Sequence, residues 1–94
     1  MLILFDVDGT LVESGKIITF EIGELLKKIK NDKKCSYAIV GGGNIDKILY
    51  QLSDYKILFE YIFSECGAIL HVQNKGRFDC IYKKSIMNII NNNE

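Results

Sequence analysis

The sequence predicts an α/β fold: a parallel sheet built from a βαβαβ run, cut short, then a β-hairpin and a short helix. Three observations predict it. Short apolar runs alternate with segments whose apolar residues repeat at i, i+3, i+4 and i+7, the order that joins parallel strands by helical crossovers. The first two runs stop abruptly at loops that are acidic or glycine-rich, Asp6-Val7-Asp8-Gly9-Thr10 and Gly41-Gly42-Gly43-Asn44. Asn74-Lys75-Gly76 then divides two further apolar runs, as a hairpin turn does.

Leu2 to Phe5 is continuously apolar and ends at Asp6, which predicts a first strand buried on both faces. Thr19 is placed to cap a helix, Glu21 sits in its first turn, and Ile22, Leu25, Leu26 and Ile29 form its apolar face. Tyr37 to Val40 predicts the second strand. Asn44 caps the next helix, whose face is Ile45, Ile48, Leu49 and Leu52, with Asp46 near the positive end of the dipole. Tyr61 to Phe63 predicts a third strand, and Ala68 to Val72 and Phe78 to Tyr82 the two arms of the hairpin. Ser85 to Ile90 predicts a short helix, and the final Asn91-Asn92-Asn93-Glu94 a frayed end.

Ninety-four residues, 48% hydrophobic and 26% charged, make one domain at most. A chain this short buries only about 60 to 65% of its unfolded surface, so a parallel core would be thin. Twelve Lys+Arg balance twelve Asp+Glu, and no surplus of positive charge points to a nucleic-acid partner. The one basic run, Lys27, Lys28, Lys30, Lys33 and Lys34, falls where a helix C-terminus is expected and complements its negative dipole end. Cys35, Cys66 and Cys80 are odd in number, widely spaced and without a C-x-x-C pair, which fits neither a disulfide framework nor a zinc site. The apolar start is too short for a signal peptide, and no run approaches the roughly 20 residues of a membrane span. A cytoplasmic location without a membrane partner is the expectation.

The chemistry is expected at the strand ends. Asp6 and Asp8 are two residues apart past a strand, so alternation turns both toward one side of the sheet edge. Carboxylates that close repel unless a proton or a divalent cation lies between them, and Mg2+ suits hard oxygen ligands. Gly9 permits a sharp turn, and Thr10 offers a hydroxyl to a phosphate oxygen. Such a site could attack a phosphoryl group with one carboxylate while the other moves the proton. Gly42, Gly43 and Asn44 would add backbone N–H groups and a helix N-terminus for phosphate. Glu65-Cys66-Gly67 forms a third loop on the same edge, whereas His71, alone in a strand, reads as a packed structural residue.

These motifs resemble a known family. LILFDVDGTL with the later IVGG and F-S-E-C-G is similar to the haloacid dehalogenase (HAD) superfamily of phosphotransferases, and most to the amino-terminal part of eukaryotic-type phosphomannomutases. The resemblance implies a HAD-like Rossmannoid sheet, with residues 1–82 as the amino-terminal half of the core domain and 83–94 as the start of a cap region or a frayed tail. It implies Asp6 as the nucleophile and Asp8 as general acid and base, with Mg2+ on the Asp6 carboxylate and the Asp8 backbone carbonyl. A hexose 1,6-bisphosphate would prime the enzyme, which would interconvert mannose 6-phosphate and mannose 1-phosphate for GDP-mannose synthesis.

The chain departs from that pattern in places. Gly43 and Asn44 stand where the family usually has a hydroxyl residue and an acid, and Cys66 where it usually has Asn. The loop Val12-Glu13-Ser14-Gly15 lacks an arginine common there. The family's phosphate-holding lysine, second acidic metal cluster and cap would lie beyond Glu94, which leaves an apolar strand edge open to a second polypeptide or another copy. Two alternatives to a mutase therefore stand: a catalytically silent fragment or module that binds Mg2+ and phosphate, and a HAD-type sugar-phosphate phosphatase.

Overall fold

A computed structural model of the chain describes residues 1–83. β1 (Leu2–Asp6) leads to α1 (Phe20–Lys33), β2 (Ser36–Val40), α2 (Ile45–Leu52) and a 3-10 helix over Ser53–Leu58. β3 (Tyr61–Ser64), β4 (Ile69–Asn74) and β5 (Arg77–Lys83) complete it. The five strands form one sheet in the order β1-β2-β3-β4-β5. β1 to β3 are parallel, with Asp6 opposite Val40 and Val40 opposite Phe63, while β4 runs antiparallel to both β3 and β5. The hairpin therefore extends the parallel sheet. Its turn is tight because Lys75 and Gly76 both take positive φ, 53° and 85°. The short helix expected over Ser85 to Ile90 lies outside the described residues, as does the segment 83–94 beyond Lys83, which ends β5.

Both helices begin as the sequence predicts. Thr19 Oγ1 accepts from the Ile22 N–H at 3.3 Å, and Asn44 Oδ1 from the Lys47 N–H at 2.9 Å. Leu26 of α1 and Ile48 and Leu52 of α2 share one core with Tyr37, Ile39, Phe59 and Ile62 of the strand side. Ile3 and Phe5 pack against that core from β1. Two successive crossovers in one direction put their helices on the same face of the sheet.

Two expectations fail for related reasons. β1 is not buried on both faces: Leu2 and Leu4 are 58% and 60% exposed, because among the described residues no helix covers the face they project from. In α1, Leu25 is 52% exposed and Gly23 is buried instead. The apolar stripe is rotated because the Tyr55 ring lies where a side chain at residue 23 would stand, close enough that an added Cβ would overlap it.

The basic run closes the end of the sheet away from the acidic loop. Lys30 and Lys33 lie in the last turn of α1, and Lys34 ends it in the left-handed conformation. Lys30 Nζ reaches the Leu58 carbonyl and both Glu60 carboxylate oxygens, all at 2.7 Å, and lies 4.6 Å from the Tyr37 ring centroid. Tyr37 donates its hydroxyl proton to the Leu26 carbonyl at 2.7 Å, and burial pushes its pKa up to about 12. Its ring meets Phe5 edge-on at 5.0 Å and Phe59 at 5.6 Å, contacts of about 0.5 to 1.5 kcal/mol each beyond their area.

Candidate active site

Three loops meet at the carboxyl ends of β1, β2 and β3. The Val7 N–H donates to the Val40 carbonyl at 3.0 Å and the Gly41 N–H to the Phe63 carbonyl at 3.0 Å, so each strand end is tied to the next. The third loop is fastened onto the second: Glu65 N–H donates to the Gly43 carbonyl and Cys66 N–H to the Gly41 carbonyl, both at 2.9 Å. Glu65, Cys66 and Gly67 carry three consecutive positive φ values, 51°, 58° and 88°, and curl this loop back over the glycines.

Val7 is 1% exposed and packs inward, and Asp6 and Asp8 flank it in sequence, Asp6 exposed and Asp8 half-buried. Gly9, at φ 79°, makes the turn that carries the chain away from the sheet. The Asp6 carboxylate is exposed and accepts no hydrogen bond or ion pair among the described residues. Asp8 differs. Its Oδ1 accepts from Gln51 Nε2 at 2.8 Å and from the Gly15 N–H at 3.2 Å, and Oδ2 accepts none among the described residues. The Gln51 hydrogen bond, then the Gly15 N–H, outweigh partial burial, and with the charge of Lys47 they hold the Asp8 carboxyl below its ordinary value of 3.8. The repulsion that the sequence assigned to a cation or a proton between the carboxylates is thus met for Asp8 by donors of the protein itself.

The second loop keeps donors in reserve. The N–H groups of Gly42, Gly43 and Asn44 meet no protein acceptor among the described residues, and α2 starts directly behind them. Unpaired N–H groups at a helix start suit an oxyanion. The Asn44 side chain is occupied by capping α2, so only its backbone faces this task. Lys47 lies against Gly43, its Cδ 2.7 Å from where a Cβ would be. Thr10 is exposed, and with Gly9 it belongs to a neighbouring cleft of about 480 Å3 between the first loop and α1, which Asp6, Asp8 and the glycine loop do not line. The structure thus brings Asp6, Asp8 and Gly42 to Asn44 to one open sheet edge, with Thr10 turned to its flank.

For a metal, the site offers the open Asp6 carboxylate and hard oxygens at Asp8. Mg2+ keeps several waters and takes one or two carboxylates with substrate phosphate, and the donors present fit that manner of binding. Among the described residues no group of three His, Cys, Asp or Glu gathers into a fuller site. His71 is packed as the sequence predicts: it is 6% exposed, its Nε2 is 3.0 Å from Ser64 Oγ, and burial lowers its pKa. Sequence reasoning missed Gln51, a polar residue on a helix, which is 1% exposed and spans from Asp8 to the Lys16 carbonyl. Only its position one residue before the buried Leu52 sets it apart.

Comparison with known proteins matches residues 3–93 to the model of the haloacid dehalogenase-like hydrolase family. A phosphomannomutase from Triticum aestivum is 38% identical over 76 residues, 80% of this chain and 30% of that protein. One from Babesia bovis is 36% identical over 74 residues, 78% of this chain and 30% of its own length. A probable phosphomannomutase from Caenorhabditis elegans is 44% identical over 71 residues, 70% and 27%. The chain thus spans about 30% of the length of these relatives. Among solved structures, a phosphatase of the haloalkanoate (HAD) superfamily from Bacteroides thetaiotaomicron superposes with a TM-score of 0.68 at 22% identity, over 90% of this chain and 30% of that one. A member of a phosphoryl-transfer superfamily studied for a trigonal-bipyramidal intermediate superposes at 0.66 with 27% identity, over 90% and 31%. No helix among the described residues is long and apolar enough to cross a membrane.

Proposed function

Since the chain belongs to the haloacid dehalogenase-like hydrolase family, we propose that it performs phosphoryl transfer through Asp6, interconverting mannose 6-phosphate and mannose 1-phosphate as a phosphomannomutase does. The observation that carries this reading is the contrast between the two carboxylates: Asp6 stands open at the strand end while Asp8 is held by two donors beside it. An unpaired carboxylate oxygen is a nucleophile for phosphorus, and a fixed neighbour is the better proton carrier.

In this mechanism an Asp6 oxygen bonds to phosphorus as the bond from phosphorus to the sugar oxygen breaks, leaving an aspartyl phosphate. Asp8, held ionised, enters the cycle as a base: it takes the proton of the sugar hydroxyl that attacks the aspartyl phosphate. It returns that proton to the departing sugar oxygen when Asp6 recovers the phosphoryl group. Gly42, Gly43 and Asn44 hold phosphate oxygens by backbone N–H groups, and Gly9 and Thr10 border the entering group. Mg2+, on the Asp6 carboxylate and at Asp8, would neutralise charge on the phosphoryl oxygens. A hexose 1,6-bisphosphate would supply the first phosphoryl group, its departing oxygen taking a proton from water in that priming step. The product would serve GDP-mannose synthesis in the cytoplasm, and the open Leu2 and Leu4 side of β1 would receive a second copy or a second polypeptide.

One observation favours a second reading, a module that binds Mg2+ and phosphate without turnover: among the described residues the acidic site stops short of three ligands. Phosphorus NMR of mannose 1-phosphate with the chain, Mg2+ and a catalytic amount of hexose 1,6-bisphosphate separates the readings. Mannose 6-phosphate formed by the parent and not by Asp6→Asn is the expected result. Free phosphate would make the protein a sugar-phosphate phosphatase, and no Asp6-dependent change would leave the binding module.

A further inference from the structure

The side chain most deeply built into this site is neither carboxylate. Gln51 lies in the last turn of α2 with 1% of its surface exposed, where an amide is costly to bury unless its hydrogen bonds are made. Both acceptors of its Nε2 belong to the loop between β1 and α1: Asp8 Oδ1 at 2.8 Å and the Lys16 carbonyl at 3.3 Å. The Gly15 N–H converges on the same Oδ1. One oxygen of Asp8 is thus fully engaged, while Oδ2 accepts no hydrogen bond among the described residues.

We propose that Gln51 is a positioning residue for phosphoryl transfer: its amide locks the Asp8 carboxylate by Oδ1, so that Oδ2 alone is presented for proton transfer. The assignment rests on the reading of Asp8 as the proton carrier. Proton transfer demands hydrogen-bond reach and alignment, and a free aspartate would divide its time among staggered rotamers that present different oxygens. The inward reach of α2 removes that freedom from a residue that is itself in a loop. A core residue that merely anchored the loop would need only the Lys16 carbonyl.

Gln51→Met keeps the length and volume and removes the amide. The first readout is the set of three-bond couplings that report the Asp8 χ1 angle at pH 7, in parent and variant, with a thermal melt to establish folding. The parent should hold one rotamer and Gln51→Met should average over several; parent couplings retained in the folded variant would overturn the proposal. If Gln51→Met does not fold, Asp8→Ala decides from the other side. Loss of the hydrogen-bonded shift of the Gln51 side-chain amide supports the contact, and an unchanged shift overturns it.

The second readout compares a sugar phosphate with 4-nitrophenyl phosphate, whose leaving group needs no proton. General acid–base catalysis contributes about 10^2- to 10^4-fold, so a misaligned Asp8 should slow transfer from the sugar phosphate by about 10- to 100-fold. Transfer from the aryl ester should change by less than about threefold, since it does not draw on that contribution. Equal losses on both would mean a structural role and sink the idea. Should the parent transfer from neither substrate, the mutase reading fails, while the couplings still decide what Gln51 does to Asp8.

Discussion

Replacing Gly43 by serine should tighten phosphate binding, and the geometry sets the size of the effect. Gly43 does not use positive φ, so an L side chain fits its backbone. An added Cβ would meet Lys47 Cδ at 2.7 Å and Lys47 Cβ and Cγ at 3.4 Å, the arm of a flexible exposed side chain that can swing aside. That adjustment costs about 0.5 to 1.5 kcal/mol, the range of a displaced rotamer, and falls equally on free and bound protein, so it lowers stability and leaves affinity alone. The new hydroxyl adds one hydrogen bond to a charged phosphate, worth about 1.5 to 3 kcal/mol, or about 10- to 150-fold in dissociation constant. Titration calorimetry of inorganic phosphate and of mannose 1-phosphate, with Mg2+ at constant ionic strength, reads this directly. Gly43→Ala is the control, with the Cβ and without the hydroxyl. Serine binding no tighter than alanine would refute the assignment of this loop as a phosphate cradle.

Other perturbations bear on the scaffold. Gly23→Ala, which gains about 1 kcal/mol in an exposed helix, should here destabilise by about 1 to 3 kcal/mol because the methyl overlaps the Tyr55 ring and dislodges its 2.8 Å hydrogen bond to Glu24; a raised urea midpoint would show that the helix packs otherwise. Cys66, at φ 58°, should be replaced by Asn with a gain of a few tenths to about 1 kcal/mol, since Asn tolerates the left-handed region better, and a lower melting temperature would contradict this. His71 links stability to pH. Burial lowers its folded-state pKa from 6.5, against a smaller opposing effect of Glu65, so its contribution is complete above 6.5 and is lost as pH falls through the depressed folded value. Resistance to urea should fall through that window as the pH is lowered, and His71→Gln should flatten the profile. A parent profile that strengthens on acidification there would reverse the assignment. Asp8, lowered from 3.8, acts in the same sense only below that pH.

The legible part of the fold was the part written in apolar periodicity and capping. Thr19 and Asn44 mark both helix starts because a side-chain oxygen must meet an early helical N–H, and the strands end where glycines or acids interrupt the apolar runs. Periodicity gave the right repeat in α1 and the wrong face: it counts Leu25 and is blind to Gly23, whose burial depends on a ring more than thirty positions away. The apolar run of β1 predicted two buried faces, yet a strand's cover is a property of its neighbours, and among the described residues β1 has a helix-packed core on one face only. The 3-10 helix over Ser53–Leu58 lacks the length for a period to show. At the site, Asp6, Asp8 and the glycine loop could be read from spacing, since each lies next to its strand in sequence. Gln51 could not: 43 positions separate it from Asp8, and only the packing of α2 against the loop after β1 makes them partners.

The most direct test of the account is the covalent one. The chain, incubated with Mg2+ and hexose 1,6-bisphosphate, is quenched in acid and mapped by mass spectrometry beside the Asp6→Asn and Asp8→Asn variants. The account predicts one phosphoryl group on Asp6, labile to base and hydroxylamine, absent from Asp6→Asn and formed more slowly in Asp8→Asn. No adduct on the parent, or an adduct that persists when Asp6 is replaced, would contradict it.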